Sequence, residues 1–421
     1  MKKPPAWVPS SSSIANICSA QVHGEPLEEG AALHHPNAPV EELYVPFNKP
    51  FLTGLELDYI AQTIRHAQTS GNGPFTRRCH QFFSEQYGFE RCLLTSSCTD
   101  ALEMSALLLD IQPGDEVIIP AYTFVSTANA FALRGAKIIF ADSCTSTPNI
   151  DPEHVAQLIS PRTKAIVVVH YGGIACDMDR LLALSTQHRI PIVEDAAHAI
   201  DSYHRDSPLG SLGAIATFSF HETKNIICGE GGLLVVNDPS LWHRAEIIWE
   251  KGTNRVAFAR KEVQKYRWVD IGSSFLPSDI TAAFLLSQLE SLPRIQQGRV
   301  ALWHAYKTNL EPIIARGLLS IPEIPDYATV NGHLFPIIAR SPQERNDLIE
   351  FLLARGVHAL FHYLPLNESP FYTRTHVASF LPNASSFAER LVRLPLFYEL
   401  SQEQLLHVCS CIAEFFRRQE K

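Results

Sequence analysis

The sequence contains no run approaching the ~18 consecutive apolar residues that a bilayer demands, so no membrane span is expected. Lys2 and Lys3 precede Pro4, Pro5 and a run of serines rather than an apolar segment, so no signal peptide is read. There is no C-x-x-C pair. The nine cysteines are odd in number and scattered, which fits a reducing compartment better than a disulfide framework or a structural zinc, and a cytoplasmic location is expected. Basic charge is also scarce: 35 Lys and Arg face 44 Asp and Glu, a net charge of −9. That is poor footing for nucleic acid or an anionic membrane, although a local site can still hold an anionic small ligand. No G-x-G-x-x-G follows a strand and no G-x-x-x-x-G-K-[ST] occurs, which argues against a nicotinamide site or a P-loop. His221-Glu222-Thr223-Lys224-Asn225 opens like a zinc-binding helix, but Asn225 stands where the second His ligand belongs, so no metal is expected.

The 421 residues, 46% hydrophobic, suffice for two or three domains with a real core. Residues 1–43 are rich in Pro, Ser, Ala, His and Glu without a sustained period, and read as a poorly ordered extension or an arm. From 93 to 236, short apolar runs alternate with helical patterns. The runs fall at 116–120 (EVIIP), 137–141 (KIIFA), 165–170 (AIVVVH), 191–195 (PIVED), 216–220 (ATFSF) and 233–236 (LLVV), with helical spacing at 99–109, 126–134, 152–159 and 179–188. Nearly continuous apolar runs suit strands buried on both faces. Their alternation with helices predicts an α/β fold, a mostly parallel sheet flanked by helices, over 44–292. Beyond 293 the texture changes to a smaller α+β domain reaching 421, with helices near 299–310, 342–355 and 401–418 and strands near 333–339.

Three segments carry chemistry. Thr95-Ser96-Ser97-Cys98-Thr99 lies between an apolar strand and a helix, where free backbone N–H groups suit a phosphate; a plain N-cap by Ser97 or Thr99 reads the same way. Asp195 ends a buried run in Val193-Glu194-Asp195-Ala196-Ala197-His198. A carboxylate there needs a cation, such as a protonated pyridine nitrogen, or several loop N–H donors. Lys224 follows the 216–220 run and precedes the Gly229-Glu230-Gly231-Gly232 turn. In a low-dielectric site it can lose its proton and attack a carbonyl, whereas a lone Lys is more commonly a solvated surface group. Together they supply a phosphate cradle, a pyridinium partner and a carbonyl-binding lysine, which are the protein parts of a pyridoxal 5'-phosphate site.

The stretches PAYTFVST, VEDAAHA, FSFHETKN and GEGG resemble the DegT/StrS-type sugar-nucleotide aminotransferases. VPFNKP, GPFTRRC, TSSCTDALEM, EKGTNR, DIGSSFLPSD, FHYLPL and RLPLFYEL extend the likeness from about Val45 to Phe416. They bring it nearest to the branch that forms dTDP-4-amino-4,6-dideoxygalactose, an enterobacterial common antigen precursor. The resemblance implies a fold-type I pyridoxal phosphate enzyme, a homodimer or dimer of dimers, taking an amino group from L-glutamate to C4 of dTDP-4-keto-6-deoxy-glucose. It also implies roles: Lys224 as the Schiff-base lysine, Asp195 at the pyridine nitrogen, His198 near the phenolic oxygen, Phe124 on the ring face, and Cys98, Thr99 and Ser219 at the phosphate. Ser274 takes the place of the Asn that in relatives reaches the partner subunit's phosphate, with Asn254 and Arg255 candidates to substitute. Arg255, His362, Tyr363 and Glu230 are candidates for the substrate, with Arg77 and Arg78 as further cations for its diphosphate. Asn367, where the branch has His, is expected to face the sugar. The rival readings are a sibling enzyme acting at C3 or on a GDP- or UDP-sugar, and a non-catalytic cofactor-binding regulator.

Overall fold

A computed structural model describes residues 43–419. The expected extension, apart from Leu43, lies outside the described residues. The strands are β1 (Cys92–Thr95), β2 (Glu116–Pro120), β3 (Lys137–Ala141), β4 (Thr163–Val169), β5 (Ile192–Asp195), a short hairpin of β6 (Tyr203–His204) and β7 (Ser207–Pro208), then β8 (Ile215–Ser219), β9 (Gly232–Val236), β10 (Phe335–Ile338) and β11 (Leu391–Leu394). Seven of them form one sheet in the order β1-β9-β8-β5-β4-β2-β3. Only β9 runs against the rest: it is antiparallel to both β1 and β8, while the remaining pairs are parallel.

Each central strand feeds two cores because its side chains alternate between faces. Val117, Ile119, Val167 and Val193 join one cluster with Leu102, Phe131 and Trp249. Ile118, Ile166, Val168 and Ile192 join another with Val155 and Leu181 on the opposite face. Burial on both sides explains why these runs lack polar alternation.

The C-terminal part is organised by a 23-residue helix, Leu292–Ile314, by the antiparallel pair β10/β11 and by helices Pro342–Leu353 and Gln402–Gln419. Trp303, Tyr306, Phe335, Phe397 and Phe416 fill its core. Val45 joins this part, its N–H bonded to Gly356 and its carbonyl accepting from His358. Strand β11 and the helix Pro382–Arg390 are absent from the sequence-based reading. LVRL is too short to show a period, and its pairing with β10 is long-range.

Glu116 opens β2 as a buried carboxylate serving three partners: Ser160 Oγ at 2.6 Å, Arg162 Nη2 at 2.7 Å and Lys137 Nζ at 3.3 Å. Burial pushes its carboxyl up, but these donors outweigh burial and hold it at about 2. A lowered pKa adds stability that is complete above the ordinary carboxylate range and lost as pH falls through about 2. With Arg162 and Lys137 half in solvent, the contribution is about 2 kcal/mol. Glu116→Gln should therefore lower the unfolding free energy by about 2 kcal/mol at pH 7, with the gap to wild type closing towards pH 3 in denaturant titrations.

Candidate active site

A cleft of about 860 Å³ opens at the carboxyl ends of the parallel strands, roofed by the C-terminal sheet and by Phe47 and Asn48. Such edges are where open α/β sheets bind ligands, because the loops diverge there. Asp195, the last residue of β5, lies at its floor and is buried. Its Oδ2 accepts from Thr127 Oγ1 at 2.7 Å and its Oδ1 from the Ala197 N–H at 3.2 Å. Thr127 is held in turn by the Thr123 hydroxyl at 2.9 Å. Burial raises the Asp195 carboxyl, and the hydroxyl, the amide and the Lys224 charge pull it back only in part. Two donors leave lone pairs of a buried carboxylate unserved, and a pyridinium N–H is a donor of the right kind.

Lys224 stands in the turn between β8 and β9, its N–H bonded to the His221 carbonyl at 2.9 Å. Desolvation lowers its ammonium to about 8, against the opposing pull of the Asp195 carboxylate. An amine so placed is available in part as a nucleophile a little above neutrality, where an ordinary lysine is almost wholly protonated.

At the opposite wall the helix Cys98–Leu108 begins. Ser97 is its N-cap, the hydroxyl accepting the Asp100 N–H at 3.1 Å, so of the two capping candidates Ser97 takes the position. The Cys98 and Thr99 amides, at the open end of the helix, face the cleft with the Thr99 and Ser219 hydroxyls nearby. Thr99 Oγ1 is oriented by Ser126 Oγ at 2.9 Å. Gly232, which opens β9, presses against this loop: a Cβ there would lie 2.5 Å from the Cys98 nitrogen. The cradle exists because the reversed strand carries no side chain at that point. Its donors fit a phosphate, and Lys224 and Asp195 line the same cleft, as a pyridine ring bearing an aldehyde requires.

Three histidines line the far wall. His198 Nδ1 accepts the Gly172 N–H at 3.2 Å, so its proton sits on Nε2, which remains a donor. Burial, then the charges of Lys224 and Arg393, push its pKa well below the usual range, so the ring is neutral. His333 stacks on it with centroids 4.3 Å apart, and its Nδ1 meets Asn225 Oδ1 at 2.8 Å. The Asn225 amide NH2 is committed to Gln296 Oε1 and the Asn331 carbonyl, so His333 donates and keeps Nε2 as an acceptor. His362 Nδ1 meets Tyr171 Oη at 3.1 Å, while its carbonyl accepts from the Tyr122 hydroxyl. Phe124, 56% exposed, lies at the rim with its ring 6.3 Å from that of Tyr363.

The cleft thus gathers Cys98, Thr99, Phe124, Asp195, His198, Ser219, Lys224, Glu230, His362 and Tyr363. It does not gather Ser274, Asn254 or Arg255 of the same chain, which lie outside its lining. Asn254 Oδ1 is engaged by the Arg267 N–H at 2.7 Å. Arg77 and Arg78 are also elsewhere: Arg77 donates to the Asn72 carbonyl, and Arg78 pairs with Glu290 at 3.0 Å. Asn367 is a correction. It is fully buried, donating to the Ser379 carbonyl at 2.8 Å, because the short helical turn Leu366–Glu368 directs it inward, away from the cleft. The sequence-based reading also passed over Thr127, His333, Phe47, Asn48 and Arg393. Thr127 and Arg393 stood inside quoted motifs, but nothing in their spacing set them apart from packing residues.

The lowered Lys224 ammonium has a kinetic signature. Between pH 6 and about 8, the rate at which apoprotein captures pyridoxal 5'-phosphate should rise nearly tenfold per pH unit, then level off. An ordinary lysine would keep accelerating beyond pH 10. Stopped-flow absorbance reads the profile.

Residues 52–413 match the DegT/DnrJ/EryC1/StrS aminotransferase family. The chain is 30% identical over 383 residues to the spore coat polysaccharide biosynthesis protein SpsC of Bacillus subtilis, covering 89% of this chain and 97% of SpsC. Among solved structures it is similar to the aminotransferase TlmJ from Streptoalloteichus hindustanus, with TM-score 0.82, 30% identity, and 89% and 100% of the two chains covered. It is likewise similar to the putative sugar aminotransferase Spr1654 from Streptococcus pneumoniae in its PMP form, with TM-score 0.83, 27% identity, and 89% and 99% covered. With the family matched over most of its length and the sheet, cradle, carboxylate and lysine in place, the chain belongs to the DegT/DnrJ/EryC1/StrS aminotransferase family.

Proposed function

We propose that this aminotransferase moves an amino group from L-glutamate to C4 of dTDP-4-keto-6-deoxy-glucose, giving dTDP-4-amino-4,6-dideoxygalactose and 2-oxoglutarate. The observation that carries a sugar-sized acceptor is the cleft itself. Its 860 Å³ exceeds what a pyridoxal ring fills, and its outer walls carry Asn48, Glu230, His362 and Tyr363, groups suited to hydroxyls. SpsC belongs to polysaccharide biosynthesis and Spr1654 is described as a sugar aminotransferase, which agrees with that class. The choice of a dTDP-hexose and of C4 rests on the branch-like stretches FHETKN, KGTNR and FHYLPL.

The cofactor is pyridoxal 5'-phosphate. When bound, it supplies a carbonyl carbon that takes up the amino group and a ring that draws electrons from the neighbouring C–H bond. Asp195 would keep the ring nitrogen protonated, and its rigid seat on Thr127 and Ala197 fixes that geometry. The His198 Nε2–H would donate to the phenolic oxygen. The Cys98 and Thr99 amides with Ser219 would hold the phosphate, and Phe124 would cover one ring face. Lys224, the one amine among the described residues lining the cleft, would anchor the cofactor and then move a proton between the reacting substrate carbon and the cofactor in each half-reaction. In a homodimer, Asn254, Arg255 and Ser274 would serve the partner's cleft rather than their own.

Two experiments test this reading. Purified protein given glutamate and a panel of dTDP-, UDP- and GDP-linked 4-keto and 3-keto sugars should aminate the dTDP-4-keto-6-deoxy sugar fastest, with the product identified by mass and NMR. A different preferred sugar replaces the proposed substrate. Asp195→Asn should fold and retain cofactor absorbance yet lose at least a hundredfold in turnover, because an amide cannot hold the ring nitrogen protonated. Turnover within a few-fold of wild type would reduce Asp195 to a structural role.

A further inference from the structure

Arg393 is the one arginine among the described residues lining the cleft. It lies on β11, and its backbone is bonded both ways to Leu360, N–H to carbonyl at 2.7 Å and carbonyl to N–H at 3.1 Å. That clamp sends the side chain into the cleft lining. The guanidinium rests over the Phe47 ring at 4.6 Å, and Nη2 donates to the Phe361 carbonyl at 3.1 Å. The Nε–H is shielded from solvent and has no partner, and no carboxylate pairs with this arginine among the described residues. The residue is half-buried, and a shielded donor on a cation is costly unless an anion completes it.

From this arrangement we infer that Arg393 is a substrate-binding residue that receives the α-carboxylate of the amino donor. The assignment rests on the aminotransferase reading of the site and adds the donor's docking point. Two candidate anions differ in where they can sit. An α-carboxylate is attached to the carbon whose proton Lys224 moves, so its cation must be close to Lys224. The diphosphate of a nucleotide sugar hangs from C1, across the ring from C4, so its cation belongs further out. Arg393 meets the first requirement: it shares the cleft lining with Lys224, and it donates to the Phe361 carbonyl beside His362, whose ring stacks with that of His198 at 6.0 Å. A planar fork with Nε–H free also matches a planar carboxylate.

The test uses holoenzyme variants Arg393→Gln and Arg393→Lys, each checked for cofactor absorbance, and follows the half-reactions separately by stopped flow. For L-glutamate and L-alanine, the apparent dissociation constant should rise tenfold or more in Arg393→Gln and less in Arg393→Lys. 2-Oxoglutarate binding to the aminated enzyme should weaken by a similar factor. Reaction with 2-aminobutane, which has no carboxylate, and the sugar-nucleotide half-reaction should stay within twofold of wild type. A loss for glutamate but not alanine would move Arg393 to the side-chain carboxylate and overturn the assignment. So would a loss confined to the sugar nucleotide, equal losses for all amines, or no loss for glutamate. If wild type takes the amino group from glutamate but passes it to no sugar of the panel, the proposed acceptor fails while the Arg393 assignment stands.

Discussion

Two ionisable groups kept out of water, the Asp195 carboxylate and the Lys224 amine, impose conditions on everything around them. Each is costly alone in a low-dielectric cleft, and each moves in the direction of its neutral form. The protein supplies only part of what would relieve that cost. Thr127 and Ala197 leave Asp195 under-served, and Asp195 only partly supports the charge on Lys224. The surroundings are therefore arranged for a third party: a cradle of amides at a helix N-terminus, a neutral donor on His198, and an exposed aromatic ring at the rim. An interior optimised for stability alone would not leave so many donors and acceptors half-used.

The sheet explains how such a centre is built from segments far apart in sequence. Parallel strands deliver their carboxyl ends to one edge, so β1, β2, β5 and β8 bring the Cys98 loop, Phe124, Asp195 and Lys224 to a common rim. The reversed β9 closes the turn that carries Lys224 and brings a backbone without a side chain against the cradle. The C-terminal part then adds His333, His362 and Arg393 from above. A second buried network, Glu194 with His170 and the amides of Gly210, Leu212 and Gly213, ties down the loop that leads into β8, one residue from Asp195.

Much of this was legible in the chain. The six apolar runs read from the sequence coincide with β2, β3, β4, β5, β8 and β9 to within two residues, because burial on both faces leaves an unmistakable local signature. Several residues that line the cleft were legible too, since they follow strand ends directly. What could not be read was set by distant pairing. LVRL is too short to announce β11, so Arg393 looked like any basic residue in a loop. His333 gains meaning only from Asn225, more than a hundred residues earlier. Asn367 was misplaced because its neighbours in FHYLPL do line the cleft, and a single helical turn suffices to send the next side chains the other way.

The glycine at 232 has an evolutionary consequence. The backbone of β9 lies so close to the Cys98 amide that a Cβ at 232 would lie 2.5 Å from main-chain atoms of Ser97 and Cys98. No flexible side chain at that point can yield, because the obstructing atoms are main chain on both sides. Drift at this position is thus barred for as long as the loop through Ser97 and Cys98 keeps its path. An alanine at 232 in a duplicated gene would mark a copy whose loop has moved, even with Lys224 and Asp195 intact.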